Sequence, residues 1–505
     1  MTRQGRTLQG GELAGRFAAG LQGFHDWSLA GSAGARHDAE DVEWSVHAAR
    51  GEGRFTRRTW TDYQGNSAPL GDQPLDPMML TASLAWKRLR ARVLVDDQVL
   101  GQRVGYGELP GPNEVSTFRT MLGDVQADLP VGATLTLRPR ATARLQVPWR
   151  TADERSPFFY DKSASRLLVG LTAFWRPLES LTLSGGVDGF WDHAWLNNER
   201  ELGVQSRFDG RSTVSYGSVA TWLQGQWDTP VVNVTAGGRF EWHSAVGANV
   251  APRVALTKQL GPVNLKALYG GAFRNPSIEN LNGNPTLKSE RTHVAEAEVG
   301  VTVGDFTYLS VNGFYTSLNA PIVYGVDAET GEESYRNGGV VSTAGAEALV
   351  RLRGRHGSLT ATAALAAPVI AEDIDTWLVP GAPTPTLLAM PLVKATAFGR
   401  LRLTQRFSLG GSAVFFSGRQ ALVTPTDVFD GNGVVGQLAP ALLLALWLGA
   451  DNLGLEGLSA QVGVGNLLDA NVAFAQPYAG GTAPIPGRGR EFFVRASYAF
   501  GAPAK

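Results

Sequence analysis

The chain contains no cysteine, which excludes disulfides and thiolate metal sites and suits an oxidising or extracytoplasmic compartment. It has almost no net charge, formally -1, so it lacks the basic balance of a nucleic-acid binder. It lacks any run approaching the roughly 18 apolar residues of a membrane-crossing helix. The longest apolar stretch, Leu438 to Ala450, is too short, carries Pro440 near its start, and reads as a strand. The opening residues, Met1 to Gly11, are polar and hold no apolar signal-peptide core. No Gly-x-Ser-x-Gly elbow is present, so a hydrolase has no support. The 7 histidines are scattered without zinc-site spacing, and His37-Asp38-Ala39-Glu40-Asp41 reads as a charged turn, so no metal site is expected. Gly431-Asn432-Gly433-Val434-Val435-Gly436 fits dinucleotide spacing but lies in a polar loop before a strand, so no cofactor is expected either.

What is present is glycine, 61 of 505 residues, and alternation. From Glu491 to Phe500 one parity (Phe492, Val494, Ala496, Tyr498, Phe500) is apolar and the other carries Glu491, Arg495 and Ser497. Successive strand residues face opposite sides, so this segment has an oily face and a wet one. Its length suits the roughly 9 to 11 residues of a tilted membrane strand. The same rhythm recurs. Val232, Val234, Ala236, Gly238, Phe240 and Trp242 oppose Asn233, Thr235, Gly237, Arg239, Glu241 and His243. Leu181 to Trp191 alternates with a set containing Asp188 and Asp192, and Val263 to Phe273 with one containing Lys266 and Arg274. Mean hydropathy near zero follows, because the two faces cancel.

Connections alternate between tight (Gly261-Pro262, Gly304-Asp305, Gly354 to Gly357) and long and polar (55–76, 148–164, 193–212, 274–288, 418–438 and 469–488). That alternation predicts an all-β fold, a transmembrane antiparallel up-and-down β-barrel of about 22 strands. No linker or composition shift splits it, so residues 1–505 read as one barrel with 501–505 a short tail. A soluble sandwich or propeller also alternates. Two details favour lipid: aromatics near strand ends (Trp191, Trp242, Phe273, Phe492, Phe500), and Arg239, Glu241, Lys266 and Glu298 on the inner parity. A dry core would not tolerate those charges; a wet lumen would.

The stretch Phe273-Arg274-Asn275-Pro276-Ser277, followed by Asn284-Pro285-Thr286-Leu287-Lys288-Ser289-Glu290, resembles a hallmark of TonB-dependent outer-membrane receptors. Ala251 to Leu256 resembles the family's preceding strand, Asn466-Leu467-Leu468-Asp469 its Asn-Leu-Phe/Leu-Asp motif, and the Phe500-terminated strand its closure. The resemblance implies a non-enzymatic, multi-pass receptor of a Gram-negative-type outer membrane that takes up a scarce nutrient such as a ferric siderophore or cobalamin. Its energy would be relayed by a TonB-type complex, with outer-membrane lipid and a small molecule as further partners, no nucleic acid, and a monomeric state.

Family members carry an N-terminal plug with a TonB box, and the residues before the first strand leave no room for one. The chain therefore reads as the barrel portion of a receptor, with a plug in another chain or a plugless diffusion pore as alternatives. Ligand contacts are expected on the outer loops: Arg274, Asn275, Glu279 and Asn282; Trp195 and Arg200; Tyr478. Arginine and aromatics there suit siderophore-like anions. Phe273, Pro276, Asn284, Pro285, Leu287, Glu290, Asn466, Leu467, Asp469 and Phe500 are expected to shape the structure.

Overall fold

A computed structural model describes residues 10–21, 24–54, 56, 58–61, 67–69, 74–102, 114–151, 159–198, 208, 210–326, 333–374, 377–422, 435–475 and 484–501. They form a closed antiparallel barrel of 22 strands, as the alternation predicts. The sheet runs from Gly10–Gly20 through consecutive neighbours to Glu491–Phe500, which pairs back with the first strand from Gly11↔Phe500 to Gly20↔Glu491. Closure removes the two free edges that an open sheet of this size would expose. The short segment Leu129–Val131 pairs with Leu135 to Leu137 inside one turn and adds no strand to the wall.

The two parities separate as expected. In the hairpin Thr213–Asp228/Asn233–His243, Val219, Leu223, Trp227, Phe240 and Trp242 point outward and are 45 to 63% exposed. The opposite parity places Ser218, Ala220, Glu241 and His243 at 6% exposure or less. Transfer of each outward leucine or valine from water to hydrocarbon contributes about 1.5–3 kcal/mol. Phe492, Val494 and Phe500 likewise face out.

One rim carries short turns and the other the long connections. Gly261 takes φ +57 in the turn joining Gly247–Leu260 to Val263–Arg274, a backbone that favours a residue without a side chain. Two connections at the elaborated rim are nonetheless short, those at 21–24 and 244–246, so the alternation of loop length is not strict.

Several strands run longer than their sequence suggests. Leu135–Thr151, Tyr160–Leu178 and Leu181–Leu196 extend into stretches that read as polar loop, because lumen-facing strand ends carry polar residues as loops do. Conversely, the strand expected from Val232 begins at Asn233: the Thr229 hydroxyl accepts from the Val232 amide at 3.0 Å and donates to its carbonyl at 2.7 Å, closing a local turn.

The barrel seam is held from inside. Arg16 of the first strand lies opposite Arg495 of the last. Asp26 and Glu491 offset this like-charge pairing: Arg16 pairs with Asp26 and, at 3.0 Å, with Glu491, while Arg488 reaches Asp26 at 2.7 Å. Further round the wall, Trp447 lies over Gly410, where an added Cβ would sit 2.2 Å from the indole.

Candidate functional site

The inner wall carries its densest chemistry below the elaborated rim, where Leu135–Thr151, Tyr160–Leu178, Leu181–Leu196 and Asn233–His243 bring polar side chains into one cavity of about 850 Å³. Parity alone sets the direction of each. Arg166 binds Asp192 through two bonds of 2.6 Å and lies 4.2 Å from the centre of the Phe190 ring. Arg239 reaches Asp188 at 3.1 Å and Glu241 at 3.0 Å. Arg144 stands opposite Arg166 in the ladder and has no ion pair among the described residues. Two-point contacts with carboxylates fix the guanidinium planes of Arg166 and Arg239, both of which line the cavity.

The 275–289 connection folds onto this wall. Ser277 caps the short helix Ile278–Gly283: its hydroxyl accepts from the Asn280 amide at 3.1 Å, and the Asn280 side chain accepts from the Ser277 amide at 3.0 Å. The helix presents Glu279 to Lys162 at 2.6 Å and to the Tyr160 hydroxyl at 2.6 Å. Lys162, with 3% of its side chain exposed, lies over the Tyr160 and Phe208 rings at 4.6 and 5.1 Å. Leu281 and Leu287 bury themselves with Ile322, against Tyr216, Val246 and Tyr335.

The loop residues expected from sequence divide by role. Asn275 donates to Glu241 at 2.9 Å and accepts from Asn249 at 3.2 Å and Ser289 at 2.8 Å, so its polar capacity is committed to holding the loop. Glu279 is committed to Lys162 and Tyr160. Arg274 pairs with Glu290, which also accepts from the Ile322 amide at 2.7 Å, yet 64% of the Arg274 side chain remains exposed at the cavity mouth. Asn282 has a buried Oδ1 without a hydrogen-bond partner among the described residues. Trp195 takes the outward parity of Trp191 and stacks on His193 at 5.6 Å, away from the cavity. Arg200 and Tyr478 lie outside the described residues.

The residues expected to shape the structure occupy joints. Phe273 faces outward at a strand end, and Pro276 is buried ahead of the Ser277 cap. Asn284 accepts from the Thr286 amide at 2.9 Å across the exposed Pro285 and donates to the Tyr335 carbonyl at 2.8 Å. Asn466, at φ 45, accepts from the Ala470 amide and donates to the carbonyls of Ala470 and Arg488. The Leu467 amide bonds the Leu444 carbonyl at 2.8 Å. Asp469 accepts from Arg58 at 3.0 Å and from the Arg490 amide at 2.8 Å, and so joins two connections at the rim. A second joint lies at Arg419, which donates to the Ala473 carbonyl at 2.9 Å and whose burial lowers the guanidinium pKa from its usual value.

Lys162, Arg166 and Arg144 are the site residues that sequence reading misses. Lys162 falls in a stretch read as loop, and its signal is the inward parity it shares with Arg166 once Tyr160–Leu178 is extended upward. Among the described residues, no cluster of His, Asp and Glu suited to a metal ion occurs.

A closed barrel with a charged lumen, an apolar exterior and one elaborated rim defines the class of membrane-spanning β-barrel receptors and pores. Within that class the family is decided by comparison: residues 2–467 match the TonB dependent receptor-like β-barrel model, and the chain belongs to that family. The fold is shared with the siderophore receptor PirA from Acinetobacter baumannii (13% identity, TM-score 0.76, 99% of this chain and 81% of that one). It is shared too with the ferric enterobactin receptor PfeA from Pseudomonas aeruginosa bound to enterobactin (15%, 0.76, 99% and 82%). A third likeness is the FrpB iron transporter from Neisseria meningitidis (12%, 0.75, 97% and 81%). No curated protein sequence matches the chain.

Proposed function

We propose that the protein is an outer-membrane receptor that takes up an iron-chelate-like, anionic nutrient, with energy relayed by a TonB-type complex. The observation that carries this reading is the cavity in which Arg144 has no ion pair among the described residues while Arg166 and Arg239 are fixed by theirs. A site of this kind keeps cationic donors oriented for an oxyanion-rich ligand, with Phe190 and Tyr216 in the same lining. Family membership and the iron and siderophore receptors that share the fold support the same substrate class. The long-loop rim is then extracellular and the short-turn rim periplasmic. In this reading Arg274 meets the ligand at the mouth, Arg144 and Arg166 meet it on the wall, and the joints around Asn275 and Glu279 hold the frame.

Calorimetric titration of the detergent-solubilised protein with ferric catecholate and hydroxamate siderophores, haem and cobalamin tests the proposal. One class is expected to bind far more tightly than the others, with ferric catecholates the first expectation. Equal, weak binding of all four, together with a large steady conductance in planar bilayers, would instead make the protein a diffusion pore.

A further inference from the structure

Below the cavity, the lumen wall continues the cationic face that begins at Arg144. On Leu89–Gln102, Glu114–Ala127 and Leu135–Thr151 the odd-numbered Val93, Met121, Val125 and Leu145 are exposed on the outer face, so even numbers turn inward. The register then sets a guanidinium at each inward step downward. Arg144 comes first. One step below, Arg92 lies opposite Asp124, which lies opposite Thr142. Arg90 and Arg140 flank Gln126 at the next step, and Arg138 stands at the last. Steps of two residues are about 6.6 Å apart along a strand. From Arg144 to Arg138 the column descends about 15 Å along the barrel axis at a tilt of about 40°. It ends close to the short-turn rim, where this strand starts at Leu135.

Charge on this stretch is one-sided. Arg90, Arg92, Arg138, Arg140 and Arg144 face two carboxylates, so five positive charges less two negative leave an excess of three. Asp124 takes Arg140 at 2.7 Å; Asp128 takes Arg138 at 2.5 Å and Arg90 at 3.4 Å. The flanking strands add no charge, bringing Thr81, Ser83 and Ala85 on one side and Leu168, Gly170 and Thr172 on the other. Asp188, one strand further, lies over Gly170 but is held by Arg239 at 3.1 Å. The three paired arginines keep 32 to 57% of their side chains exposed to the lumen. Arg92 and Arg144 have no ion pair among the described residues.

Such a row suits passage better than capture. A guanidinium half-neutralised by aspartate holds an oxyanion weakly, and a polyanion wider than one step reaches the rung below before leaving the one above. We propose that this arginine ladder is the route by which the anionic ligand descends from the cavity to the short-turn rim. The inference rests on the uptake of an anionic nutrient proposed above and adds its path.

Uptake of radiolabelled iron presented as a catecholate chelate, with surface binding measured on the same cells, tests it. Neither Arg92 nor Arg140 lines the cavity. Arg92→Gln/Arg140→Gln is therefore expected to slow uptake about tenfold while the binding constant stays within about twofold. Arg92→Lys/Arg140→Lys is expected to recover most of the rate. Lys266→Gln, on another wall and equally close to the short-turn rim, is expected to leave it unchanged. Heat-modifiable mobility on gels reports that each variant is a folded barrel. Unchanged uptake in the double glutamine variant would overturn the ladder, as would a matching loss of binding. So would entry of a large uncharged solute into cells of that variant, which would make the arginines a seat for a protein domain filling the lumen. A wild type that takes up no chelate sinks the proposed function instead. The ladder then predicts that the protein passes chloride over potassium in planar bilayers, and lack of that preference sinks the ladder as well.

Discussion

The ammonium of Lys162 and the carboxylate of Glu279 meet at 2.6 Å although 117 residues separate them. The contact ties the helix after one strand to a wall segment several strands away and holds the 275–289 connection against the cavity. Lys162→Met removes the cation and leaves Glu279 facing the Tyr160 hydroxyl alone. The loss is expected to be about 1–3 kcal/mol, below the 3–5 of a fully buried pair because Glu279 keeps 39% of its side chain exposed. Limited proteolysis is expected to cut within 275–289 in the variant and not in wild type, with the barrel still heat-modifiable.

Arg144 is the cavity arginine without an ion pair among the described residues. Arg144→Gln is expected to weaken binding of the preferred anionic ligand by about 10- to 100-fold, the equivalent of one charge-assisted hydrogen bond. Titration calorimetry checks this. An unchanged affinity would move the ligand away from this wall.

The inside and outside of the barrel can be tested on adjacent residues. Leu223 is 63% exposed on the outer face, whereas Gln224 faces the lumen opposite Ser184 and Gly237. Leu223→Arg places a cation near the middle of the apolar band and is expected to cost about 2–4 kcal/mol, while Gln224→Arg is tolerated. Urea unfolding in lipid vesicles distinguishes the two.

How much of this was legible in the sequence follows from the period of a strand. Alternation marks Phe240 and Trp242 against Arg239 and Glu241 without ambiguity, and the same parity gives Asp188 and Asp192 their direction. It fails where a strand continues above the membrane. There, both faces become polar, so Tyr160-Asp161-Lys162 looks like loop and the cavity's buried lysine passes unnoticed. Pairings that skip a strand along the wall, such as Asn275 with Glu241, have no local signature at all. Asn275 and Glu279 are identifiable as notable residues, yet only their partners show that they brace the loop.

The seam offers a fourth test. Glu491→Gln leaves Arg16 opposite Arg495 with Asp26 as its remaining carboxylate. A loss of about 1–2 kcal/mol is expected, the worth of one partly solvated charge-assisted bond. It would be read as heat-modifiable mobility appearing at a lower temperature.

Arg16 and Glu491 stand 475 residues apart in the chain. Until the final strand emerges from synthesis, the first has an unsatisfied row of amides and carbonyls on one side, and so does every partial sheet built on it. Ring completion is thus the longest-range event in the assembly and waits for the last strand to be made. Whatever escorts the nascent chain must keep both terminal segments extended and apart, then present them to each other at the bilayer.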